Sequence, residues 1–103
     1  MTFLSLAIEK NCLTQEKDLL EYQEMCYSSE YNQVTEEMGQ YQNENTDGRY
    51  DNAIASLESY QEFYDNKKGT IESQLKVINN EIEGYDKAVT NNVKNECSFK
   101  LSA

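Results

Sequence analysis

The sequence predicts an all-α fold: a long antiparallel helical hairpin, in effect a two-helix coiled coil, completed by oligomerisation into a helical bundle. Three observations predict it. The 103 residues include no Pro and only four Gly, so nothing forbids long helices, and the tight turns of an all-β domain lack their usual residues. Apolar residues recur as a heptad on both sides of a polar stretch at 43–48. The two heptads are also in register about that stretch. A chain of this length is one domain, here residues 1–103, with a helix over about 3–42, a turn over about 43–48, a helix over about 49–95 and a short tail at 96–103. An apolar share of 38% suits narrow seams better than a layered globule.

In the first helix Leu6, Leu13, Leu20, Tyr27, Val34 and Tyr41 lie seven apart, and Phe3, Lys10, Lys17, Glu24, Tyr31 and Met38 form the alternate set. Together they make one a/d seam. A second apolar set stands nearly opposite: Ile8, Cys12, Leu19, Tyr22, Met25 and Cys26 occupy b, c and f positions, which normally face water. A two-stranded hairpin buries one stripe per helix, so this one needs another surface. These six residues are the candidate oligomer or partner interface.

The turn, in NENTDGRYDNAI (43–54), has a spacing close to that of a calcium loop between two helices. Such a loop needs Asp first, Gly sixth and a bidentate Glu twelfth. Here those places hold Asn43, Gly48 and Ile54. Ile54 belongs to the second seam, so the stretch reads as a helix-ending turn, with Asp47 or Thr46 capping the next helix and Gly48 easing the reversal.

The second helix continues the pattern through Tyr50, Ile54, Leu57, Tyr64, Ile71, Leu75, Ile78, Ile82, Tyr85 and Val89, broken only by Gln61 and Lys68. Gly69 weakens it, but the heptad crosses that position in phase, which favours one continuous helix. If the chain reverses near 46–47, facing residues have numbers summing to 91–92. Tyr41 then faces Tyr50, Met38 faces Ile54, Val34 faces Leu57, Leu20 faces Ile71 and Leu13 faces Ile78, while Glu24 and Lys68 become a register-setting ion pair. Six of the eight Tyr lie on the two seams, as expected of core rather than of a cofactor box. Phe99 and Leu101 in the tail are available to fold back on the second stripe.

The chain contains no His, which removes His-dependent nucleophile systems, His-based zinc sites and the ligands of di-iron bundles. No phosphate-binding glycine motif is present, and Cys12 and Cys26 stand 14 residues apart, about 21 Å along a helix. Neither an enzyme activity nor a cofactor nor a metal site is expected. The net charge of −10 opposes nucleic acid and anionic membranes, which bind through Lys and Arg, and no segment approaches the ~20 apolar residues of a membrane span. Residues 1–48 hold ten acids and two bases. The bland reading of that excess is a solvated, solubilising face, and the sharper one is a dock for a basic partner. The opening MTFLSLAIEK does not read as a signal peptide and the three Cys form no motif. The expected location is the cytoplasm, or outside the cell by a route without a cleaved leader.

In length, in its hairpin and in lacking Pro and Trp, the chain is similar in shape to the small helical hairpins exported by specialised secretion systems. These are the type III needle subunits and the hundred-residue WXG proteins. It departs from the first in having no Pro-containing turn and from the second in having neither a Trp nor a Tyr followed four residues later by an acid, so the likeness assigns no residue a role. Two functions are therefore expected. The first is a structural, self-assembling protein whose partner is another copy of itself. The alternative is an adaptor or chaperone-like coiled coil offering the same stripe to a basic or amphipathic helix.

Overall fold

A computed structural model of the protein describes the backbone of residues 2–102 and the side chains of residues 2–94. It is an all-α helical hairpin of two elements, α1 (Phe3–Glu44) and α2 (Asp51–Ser102). α1 begins where Thr2 caps it: the Thr2 Oγ1 accepts a hydrogen bond from the Ser5 N–H at 3.1 Å, and the Thr2 carbonyl accepts one from the Leu6 N–H at 3.1 Å. This is the usual service of a Thr N-cap to the unpaired amides of a first turn. α2 runs unbroken through Gly69 and on to Ser102, past the expected end near residue 95, because residues 95–102 contain neither Gly nor Pro to stop it. The reading in which Phe99 and Leu101 fold back lies outside the described side chains.

The turn is built differently from the simple cap expected of Asp47 or Thr46. Gly48 has φ +79°, a left-handed conformation that costs an L-residue about 1–2 kcal/mol. A Cβ there would also stand 3.1 Å from the Asp51 carboxylate. Asp47 Oδ1 accepts from the Arg49 N–H at 3.1 Å, but the residue that closes the loop is Asn45. Its side-chain oxygen accepts from the Tyr50 N–H at 3.0 Å, and its amide donates to Asp51 Oδ1 at 2.7 Å. One amide thus satisfies the N–H just ahead of α2 and holds the carboxylate at its first turn, where a negative charge is also favoured by the helix dipole.

The chain divides into two compact units: unit 1, formed by residues 1–20 and 74–103, and unit 2, residues 21–73. In unit 2, Val34 and Ile71 are buried, and Tyr27, Tyr31, Met38, Tyr41, Tyr50, Ile54, Leu57, Gln61, Tyr64 and Lys68 are half-buried, all at seam positions. The expected pair Tyr41 and Tyr50 appears as a ring contact at 5.1 Å between centroids, and in the same register Tyr27 meets Tyr64 at 6.1 Å. Gln61 is satisfied across the seam, donating from Nε2 to Thr35 Oγ1 at 2.9 Å, and that hydroxyl in turn donates to the Tyr31 carbonyl.

The Glu24–Lys68 ion pair does not form. The Lys68 ammonium instead lies 5.4 Å from the centre of the Tyr31 ring. The reason is the lean of helical side chains toward their own N-terminus. In an antiparallel pair those directions oppose, so Lys68 leans toward the turn and Glu24 away from it. Long side chains therefore meet partners displaced from the backbone register, by about two turns for Lys68 and Tyr31.

Unit 1 obeys the same rule. Leu6 is buried at 5% exposure, and Leu13, Lys17, Leu20, Leu75, Ile78, Ile82, Tyr85 and Val89 are half-buried. The Tyr85 hydroxyl donates to the Glu9 carboxylate, and Lys10 pairs with Asp86. Phe3, assigned to the seam, is 45% exposed; as the first residue of α1 it has no preceding turn to cover it. The hydrogen bond to Glu9, followed by burial and the charges of Glu9 and Glu81, raises the Tyr85 pKa above its ordinary value. A raised phenol pKa means that the folded state favours the neutral form. Its contribution is complete below the unfolded value of about 10 and is lost as pH rises through the higher folded value. Thermal melts of the wild type and of Tyr85→Phe should therefore differ most below pH ~9 and draw together as pH rises past the unfolded value of about 10. Parallel profiles across that range would show that the hydroxyl has no such role.

Candidate functional site

The candidate interface residues are placed by the helical repeat that places the seam: with a and d turned inward, b, c and f face away. In unit 1, Ile8 is 55% and Leu19 57% exposed, and Cys12 is an exposed thiol. In unit 2, Tyr22 is 63% and Met25 69% exposed, and Cys26 is likewise an exposed thiol. Ile8 and Cys12 stand one above the other at i, i+4, as do Tyr22 and Cys26, so each unit offers a local apolar pair on the solvent side of α1.

Leu4, at 68% exposure, extends the set by one turn before Ile8. Its four-residue spacing from Ile8 was a signal in the sequence. On α2 the exposed apolar residues are Tyr60, Phe63 and Val77, with Val93 nearer the end. Phe63 is partly occupied within its own unit: its ring meets Tyr64 edge-on at 5.3 Å, and the Lys67 ammonium lies 5.5 Å from its centre.

Among the described residues no group of three or more acidic, Cys or His side chains is placed to hold a metal ion. Asp47 and Asp51, the acids of the loop that resembles a calcium site, hydrogen-bond within the turn. Two clefts on unit 1 are lined by Glu83, Asp86, Lys87, Thr90 and Asn91, and by Leu6, Glu81, Gly84, Tyr85 and Ala88. Lys87 in the first is engaged with Glu83 at 3.4 Å. Among the described residues no helix is long and apolar enough to cross a membrane.

Comparison with protein-family models, with curated proteins and with solved structures finds no match to this chain. The class of protein is therefore stated by the fold alone, an all-α helical hairpin.

Proposed function

We propose that this chain is a non-enzymatic structural protein that self-assembles through the second apolar stripe of α1: Ile8, Cys12, Leu19, Tyr22, Met25 and Cys26. The observation that supports the reading is the exposure of all six, next to a seam so thin that Leu6, Val34 and Ile71 are its only buried apolar side chains among the described residues. Each exposed aliphatic side chain gains about 1.5–3 kcal/mol on complete burial, and a two-helix core of this kind has little stability of its own to spare. Association adds apolar burial that the hairpin alone lacks.

Light scattering over a range of concentrations, followed by electron microscopy, tests this. The wild type should form a concentration-dependent oligomer, and Leu19→Asp should dissolve it without loss of helicity. A single-chain mass at high concentration, unchanged by Leu19→Asp, would sink the proposal.

The second reading is an adaptor or chaperone-like coiled coil for a basic partner helix. The observation favouring it is the acidity of the arm, which has no base from Asp18 to Gly48. A helical hairpin also suits a component of a specialised secretion system, working in the cytoplasm or exported without a cleaved leader. A basic amphipathic peptide that binds in low salt and shifts none of the oligomer mass would favour this alternative.

A further inference from the structure

We infer that what covers the exposed apolar residues is a second copy of this chain, seated through unit 1, with unit 2 taking no part in the contact. The inference rests on the self-association reading above and narrows its six residues to Ile8, Cys12 and Leu19, with Leu4 added one turn before Ile8. Two observations carry it.

The first is how charge divides between the units. Unit 1 holds seven acids and six bases, a net −1, whereas unit 2 holds twelve acids and three bases, a net −9. Two copies approaching through unit 2 oppose nine negative charges to nine. Two copies approaching through unit 1 meet almost no net repulsion, because each unit 1 holds acids and bases in nearly equal number. A basic foreign partner would be drawn to unit 2 instead, because the near-neutral surface of unit 1 does not select for one. The partner that matches unit 1 in charge is unit 1 itself.

The second is the character of the exposed side chains. Those of unit 1 are mainly aliphatic: Leu4, Ile8, Leu19 and Val77 are each more than half exposed. The b, c and f positions from Leu4 to Leu19 carry one charge, Asp18, so a partner seated there desolvates little that is ionised. In unit 2 the exposed set is Tyr22, Met25, Tyr60 and Phe63. Both Tyr keep a hydroxyl for water, and Phe63 is engaged by Tyr64 and Lys67. The surface with the least claim on water is that of unit 1.

Ile8→Asp and Met25→Asp test this, since each adds one carboxylate at a well-exposed position of α1, the first in unit 1 and the second in unit 2. Masses are measured by light scattering in low salt and in about 0.5 M sodium chloride, where charges are screened within about 4 Å. Ile8→Asp should weaken association by at least about tenfold, because the added charge would be buried unpaired. Met25→Asp should leave the mass unchanged, and salt should alter the wild type little. Circular dichroism checks helicity, and Leu4→Asp repeats the test should Ile8→Asp fold poorly. The inference is overturned if Met25→Asp dissociates the oligomer as fully as Ile8→Asp. It is also overturned if association appears only in high salt, the mark of acidic units brought together. A wild type that stays a single chain in both salts would instead overturn the self-association reading itself.

Discussion

Ile71→Ala should lower the unfolding free energy by about 2–4 kcal/mol, the usual cost of truncating a buried aliphatic side chain. Ile71 is 5% exposed at a seam position of α2, where the opposing helix closes over it. Val77, also on α2, is 56% exposed, and Val77→Ala should change stability by no more than about 0.5 kcal/mol. Urea denaturation followed by circular dichroism, at a concentration too low for self-association, measures both. Equal effects at the two positions would mean that the seam is not where the helices pack. The contrast is informative because both residues are aliphatic and helical, and only their place in the heptad differs.

The second large effect is a gain. Gly39, Gly69 and Gly84 lie within the helices, and a Cβ built at any of them meets nothing within 4 Å. Alanine at each should therefore recover the helix propensity that Gly forfeits, about 0.8–1 kcal/mol per site. The three lie far enough apart in sequence to add. A triple variant should gain about 2–3 kcal/mol and melt roughly 10–20 °C higher. Gly48→Ala is the control of opposite sign, because its φ of +79° and the nearby Asp51 carboxylate make any side chain there a strain. If the triple variant melts no higher than the wild type, one of these glycines serves a purpose other than filling a helix, such as close approach of another copy.

What was legible in the sequence follows from what repeats. Heptad spacing is a property of the chain itself, so the seam from Leu6 to Tyr41 and from Tyr50 to Val89 could be counted, and the half-burial of Gln61 and Lys68 with it. The outward positions of Ile8, Cys12, Leu19, Tyr22, Met25 and Cys26 followed by subtraction. The sequence reading missed Leu4 because its apolar set begins at Ile8, although the same four-residue step reaches Leu4. Asn45 was missed for a different reason. Its two hydrogen bonds, to Tyr50 and Asp51, span five and six residues of irregular backbone, and no periodicity describes such a path.

By itself the sequence determined the all-α class, the place of reversal and which face of each helix turns inward, because a strict spacing leaves a helical chain one way to bury its apolar residues. Tertiary structure alone decided which polar groups meet. Glu24 and Lys68 stand opposite in number, yet their side chains lean apart along antiparallel axes, and Lys68 reaches Tyr31 instead. The two compact units likewise divide the charge into −1 and −9, a division that does not follow the order of the chain. Residues 1–20 and 74–103 are distant in sequence, and folding makes them one body with nearly balanced charge.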